Sequence, residues 1–113
     1  MPDGFVQLRQ GEVRPVVATI SAADGTVQVL GTPAPTCTLY DISGAPVAGM
    51  SGLAVSGFDA SAAESARVWL TLETAGLTPG FYSLTFTLSA LGSDGIVRVM
   101  EPNAGIQILR SWE

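Results

Sequence analysis

The stretch "LTPGFYSLTFTLSALGSDGIVRV", Leu77 to Val99, decides the fold. A Pro79-Gly80 turn runs into strict alternation. Tyr82, Leu84, Phe86 and Leu88 share one face, and Ser83, Thr85 and Thr87 share the other. A period of two with apolar residues on one side describes a half-buried strand rather than a helix. Ser93-Asp94-Gly95 then supplies hairpin chemistry before a second alternating run, since Gly gives the positive φ that a tight turn needs.

The same period recurs outward from this stretch. "RVWLTLE" turns Val68, Leu70 and Leu72 inward and Arg67, Trp69, Thr71 and Glu73 outward. "RPVVATIS" turns Val16, Ala18 and Ile20 inward, "TCTLYDI" turns Cys37 and Leu39 inward, and "AGIQILR" turns Ile106 and Ile108 inward. These runs are rich in the β-branched and aromatic residues that strands prefer. Turn signals separate them at Asp24-Gly25, Ser43-Gly44, Pro79-Gly80, Asp94-Gly95 and Asn103-Ala104-Gly105. The expectation is an all-β, immunoglobulin-like antiparallel β-sandwich of about seven or eight strands, forming one domain over residues 1–113. The only helical candidate is "DASAAESAR", in which Asp59 would cap a single turn ending at Arg67. Gly49 to Ala66 otherwise reads as a loop with a weak edge strand.

Composition narrows the chemistry. The 113 residues are 47% hydrophobic, enough for a core, and only 13% charged, about half the usual share. A surface so poor in charge suits lasting contact with other protein. The net charge of −5, with five arginines and no lysine, argues against a phosphate-backbone partner. No apolar run approaches the ~20 residues of a membrane helix, and no secretory leader is visible in Met1-Pro2-Asp3-Gly4. The lone cysteine, Cys37, excludes an intrachain disulfide and reads as a small buried hydrophobe. Without histidine there is no Ser-His-Asp or Cys-His machinery, and without lysine no Schiff-base or P-loop chemistry. Asp24, Asp41 and Asp94 lie in or beside turns, where aspartate bonds local backbone more readily than calcium. No catalytic, cofactor or metal residue is therefore assigned, and no small-molecule substrate is expected.

The spacing Thr78-Pro79-Gly80-Phe81-Tyr82 resembles the tyrosine corner of immunoglobulin-like sandwiches, in which a Gly-x-Tyr enters a strand and the phenol bonds back to the preceding turn. Gly80 and Tyr82 would form it. Leu84 replaces the cysteine found two residues on in antibody domains, and the third strand has no core tryptophan, so the likeness is architectural.

A narrower resemblance lies in "FVQLRQGEVRPVVATISAADGT", Phe5 to Thr26. It resembles the opening of small immunoglobulin-like domains of tailed-bacteriophage virion proteins, such as the N-terminal domain of the baseplate upper protein family. Gln10-Gly11-Glu12, Pro15, Val16-Ala18-Ile20 and Asp24-Gly25 follow that pattern in order, and "TLYDISGAPV", the tyrosine strand and Ile106–Leu109 continue it. The resemblance implies a non-enzymatic structural or adaptor piece of a virion (neck, tail, baseplate or capsid decoration) assembled in the host cytoplasm. Its partners would be other virion proteins, including symmetry-related copies of itself. The alternative is a stand-alone sandwich that binds carbohydrate or a host surface. For the virion reading, Trp69, Arg67, Arg110 and Trp112 are the candidate docking anchors, tryptophan and arginine being common carriers of interface energy. Strand addition to a neighbour by Phe5 to Arg9, including Phe5 and Leu8, would accompany them. The competing expectation is that Trp112 folds back on the chain's own sheet and that Trp69 is covered by the Gly49–Ala66 segment.

Overall fold

A computed structural model describes residues 5–21 and 25–111. Ten strands follow one another: β1 (Phe5–Arg9), β2 (Val13–Ser21), β3 (Val27–Val29), β4 (Thr36–Asp41), β5 (Leu53–Ala54), β6 (Gly57–Phe58), β7 (Ser65–Glu73), β8 (Gly80–Gly92), β9 (Val97–Met100) and β10 (Asn103–Leu109). The chain is all-β and folds as a β-sandwich of two sheets. The larger runs β1-β10-β8-β4-β5, with β3 and β9 also paired to β8, and the smaller runs β2-β7-β6. The excess over seven or eight strands comes from the two-residue strands β5 and β6 and the three-residue β3. Pairing is antiparallel except that β1 runs parallel to β10, with Phe5 opposite Gly105 and Arg9 opposite Leu109.

Strand β8 sets the frame. Its 13 residues predict a length of about 44 Å at ~3.4 Å per residue, close to the molecule's 48 Å long axis. The first half is flanked by β10 and β4, the second by β9 and β3. The register with β8 is unbroken from β9 into β10: Leu88 faces Met100, and Thr85 faces Asn103. Asn103-Ala104-Gly105 is thus not a turn but the start of β10. Its extended backbone continues β9 past Pro102, whose carbonyl accepts from the Phe86 N–H (2.8 Å).

The assigned parity holds throughout. Every inward residue named from the sequence is buried, from Val16, Ala18 and Ile20 through Tyr82, Leu84, Phe86 and Leu88 to Ile106 and Ile108. The two sheets close over them as one cluster, joined by Leu8, Val27, Val29, Ala66, Leu77, Ala90 and Ala104. Cys37 is reduced and buried within it, and burial pushes its thiol up to about 11.

Asp59 to Arg67 forms no helical turn. The Asp59 Oδ2 accepts from both the backbone N–H (3.1 Å) and the Nε (3.0 Å) of Arg67, and the Asp59 N–H donates to the Arg67 carbonyl (2.9 Å). A carboxylate spent across an antiparallel approach is not available to cap a helix.

Phe86 is wholly buried at the centre of β8. Replacing it with Ala removes its contacts and leaves a cavity, which costs ~3–5 kcal/mol. Chemical denaturation of the variant should show that loss, whereas a loss under ~1 kcal/mol would place the ring outside the core.

Candidate functional site

Two sets of residues were expected to do particular work: the tyrosine corner and the docking anchors. The corner is present. The Tyr82 hydroxyl donates to the Thr78 carbonyl (2.7 Å) and lies 3.1 Å from the Thr78 Oγ1. Gly80, at φ 150°, carries the chain between them in a conformation that disfavours a side chain.

Next to the corner lies a lock that the sequence did not announce. Thr74, in the link from β7 to β8, is completely buried yet polar. Its hydroxyl stands 2.9 Å from the Arg9 carbonyl and 2.8 Å from the Glu12 carbonyl, and it accepts from the Gly11 N–H (2.9 Å). The Thr74 N–H donates to the same Glu12 carbonyl (3.1 Å), and the Gln10 amide donates to the Leu77 carbonyl (2.8 Å). Gln10-Gly11-Glu12 is therefore the β1–β2 turn, with Gly11 at φ 99°, held onto the link before the tyrosine strand. Glu12 closes the turn by accepting from the Arg9 N–H and pairing with Arg14 (2.8 Å). The Arg9 N–H bond is the main cause that draws its carboxyl below the usual range.

The anchors fall on different parts of the molecule. Trp69 faces outward on the small sheet, opposite Val17, which is 43% exposed. It is not bare. Gly57 of β6 lies under the indole, where a Cβ would come 2.5 Å from Cζ2, and the Arg67 guanidinium stands 5.9 Å from the ring centroid. Arg67 is in turn bound to Asp59 (3.0 Å). The Gly49–Ala66 segment thus covers part of the indole, as the competing expectation had it. Arg110 is exposed at the end of β10, and its carbonyl accepts from Arg9 Nη1 (3.3 Å). Trp112 lies outside the described residues. Of the described anchors, Arg67 and Trp69 lie on β7 of the small sheet and Arg110 follows β10 of the large one.

One expectation about the N-terminal strand is corrected. Leu8 is 1% exposed and belongs to the core, so it is no docking anchor. Phe5 to Arg9 pairs along its length with the chain's own β10. "FVQLR" is too short for alternation to say which sheet it joins, and that ambiguity hid the inward turn of Leu8.

The turn aspartates serve local backbone. Asp41 Oδ1 accepts from the Ser43 hydroxyl and from the N–H groups of Ser43 (2.9 Å) and Ala45 (3.1 Å). These bonds, the Ser43 hydroxyl first, lower its pKa. Asp94 holds Arg98 (2.8 Å) and accepts from the Ile96 N–H (3.0 Å), and the Arg98 hydrogen bond chiefly draws its carboxyl down to about 2. Asp24 lies outside the described residues. Among the described residues no three His, Cys, Asp or Glu side chains gather as a metal site would require.

No protein-family profile matches the chain, and no curated protein matches it. Among solved structures, the crystal structure of CopC from Methylosinus trichosporium OB3b is similar to it, with a TM-score of 0.47 and 16% identity over 96% of this chain and 87% of that one. A likeness of that degree carries no inference to function.

Two measurements test these local assignments. Thr74→Val keeps the shape but leaves the Gly11 N–H without its acceptor, a loss of ~1–3 kcal/mol for a buried group. Tyr82→Phe frees a carbonyl on an exposed residue that water can reach, a loss of ~0.5–1.5 kcal/mol. Denaturant unfolding should rank Thr74→Val as the more harmful, and the reverse order would refute the lock. Because the folded-state pKa of Asp94 is depressed, its contribution is full above the unfolded value of ~3.9. It is lost as pH falls towards about 2. Asp94→Asn should therefore flatten part of the fall in melting temperature over that window and leave the slope above pH ~5 unchanged.

Proposed function

We propose that the chain is a non-enzymatic structural or adaptor domain of a tailed-bacteriophage virion, acting through protein–protein contacts. The observation that carries this reading is apolar surface on strands rather than on loop tips alone. Val13 and Val17 lie on β2, and Val97 and Val99 on β9, at exposures from 43% to 71%. Exposed apolar residues grouped along strands mark contact surfaces more than scattered ones do. The low charge of the chain and the ordered match of Gln10-Gly11-Glu12, Pro15 and the tyrosine strand to virion domains support the same reading. On this reading the partners are other virion proteins and further copies of the chain, and the site of action is the particle.

One observation favours a second reading, a carbohydrate- or host-surface-binding module. Phe81, Ser83 and Thr85 of β8 share the outer face of the large sheet with Tyr40 of β4 and Gln107 and Asn103 of β10. Phe81 is 42% exposed, so an aromatic ring lies among hydroxyl and amide groups.

The test is to purify particles from the producing culture through a density gradient and quantify the chain by mass spectrometry. A fixed ratio to the major capsid protein is the expected result. Chain found wholly in the soluble fraction, together with saturable binding of the isolated protein on a glycan array, would replace the virion reading with the second one.

A further inference from the structure

We propose that the outer face of the large sheet carries a binding site for uncharged sugar, a shallow hollow floored by Gly105 and Ser83. The proposal deepens the carbohydrate reading and rests on it, and it is independent of whether the chain belongs to a virion.

Three rows of paired residues build the hollow. Ser83 of β8 lies opposite Gly105 of β10 and opposite Tyr40 of β4. One row towards the start of β8, Phe81 faces Gln107. One row further on, Thr85 faces Asn103 and Thr38. The residues between these positions, Tyr82, Leu84, Leu39, Ala104 and Ile106, are buried, so alternation turns the rows outward. Gly105 contributes no side chain and Ser83 only a hydroxymethyl group, so the middle row lies lower than the rows on either side. Along β8 the outer rows stand ~14 Å apart, and two strand spacings make the face ~10 Å wide.

The groups around that floor suit a sugar. Phe81 is 42% exposed and Tyr40 is half-buried, and they are diagonal neighbours across β8 and β4, a spacing that aromatic side chains can bridge. An aromatic face carries partial negative charge, and the C–H groups along one side of a sugar ring present the opposite sign to it. The hydroxyls at the rim of that ring need donors and acceptors that are not already spent. Among the described residues, the hydroxyls of Tyr40, Ser83 and Thr85 and the amide of Asn103 make no hydrogen bond within the chain. At the margins, Gln107 Oε1 accepts from the Gln7 amide (2.9 Å), and Thr38 Oγ1 accepts from the Gly52 N–H (3.0 Å).

Charge decides which ligand fits. None of the paired positions in the three rows is charged. A single strand of nucleic acid also stacks on aromatic rings, but it needs a positively charged groove. An acidic sugar would need a cation as well. A docked protein needs apolar area at the centre of its contact, and a floor of glycine and serine offers little. The outer face of the small sheet lacks this combination. Val13, Pro15 and Val17 of β2 have no side-chain hydrogen-bonding group, and Trp69 is already set against Gly57 and Arg67.

The test uses the intact chain and an array of neutral and acidic oligosaccharides. The strongest ligand is then titrated into isotope-labelled chain and followed by amide NMR. A neutral oligosaccharide should bind saturably and shift the amides of Ser83, Thr85 and Gly105, leaving those of Val17 and Trp69 in place. Phe81→Ala removes one stacking ring and should weaken binding about tenfold or more. Thr85→Val keeps the β-branched shape without the hydroxyl, and it should weaken binding several-fold with the melting temperature unchanged. A neutral sugar bound equally well by Phe81→Ala, shifts centred on the small sheet, or preference for acidic sugars would each overturn this site and leave the carbohydrate reading standing. Absence of saturable binding to any sugar removes the site and that reading together. Binding of another protein through this face, lost in Phe81→Ala, also overturns the proposal, in favour of protein docking.

Discussion

The backbone ladder of β8 is the constraint on which the sandwich depends. One 13-residue strand supplies partners for four others, two along each side. Its inward residues from Tyr82 to Ala90 are buried, so a one-residue slip would turn that whole set to solvent. The length of β8 also has a consequence at the far end. Once β10 and β4 have paired with its first half, the second half is flanked by β9 and β3, and among the described residues no strand lies beyond β9. The core strand and the exposed edge are two results of the same extended run.

The opposite end is held by polar contacts. Thr74 and Gln10 tie the β1–β2 turn to the link before β8, and Tyr82 ties that link to its own strand. A buried hydroxyl is tolerated at Thr74 because donors and acceptors around it are met, and valine in its place would strand a backbone N–H. The motif Gln10-Gly11-Glu12 thereby has a structural use. Gly11 makes the turn, Glu12 closes it, and Gln10 reaches across to Leu77. The molecule has one end pinned by hydrogen bonds and another that presents Ile96, Val97 and Val99 to its surroundings.

Period-two alternation made the core legible, because each long strand has one solvent-facing side and so marks its own parity. Leu8 was hidden by the brevity of its strand. Asn103-Ala104-Gly105 has the composition of a turn, yet the register with β8 passes through it, and a pairing with residues some twenty positions earlier leaves no local trace. Asp59 looked like a cap until its carboxylate met Arg67. Thr74 carried no signal at all, since its partners Arg9, Gly11 and Glu12 lie more than sixty residues away in the chain. Of the anchors, Trp69 was placed on the correct face, but the Gly57 beneath it is a matter of pairing between β6 and β7. What composition and period cannot express is which edge ends up without a neighbour.

The composition nonetheless bears on that edge. Lysine is a common guard of edge strands, and this chain has none. Its five arginines are the only positive side chains, and three of them are held by ion pairs within the chain. Arg14 shields β1, and Arg67 lies over Trp69 on the small sheet. Arg98 is the one arginine on β9, and Asp94 draws it back across the hairpin turn. If that ion pair merely stabilised the turn, it would be worth little, as exposed pairs are. Its larger effect is positional. It holds the guanidinium over Gly92, while Val97 and Val99 stay exposed along β9. Loss of the Asp94 carboxylate would remove both the partner of Arg98 and the acceptor of the Ile96 N–H, so the hairpin depends on that one side chain twice.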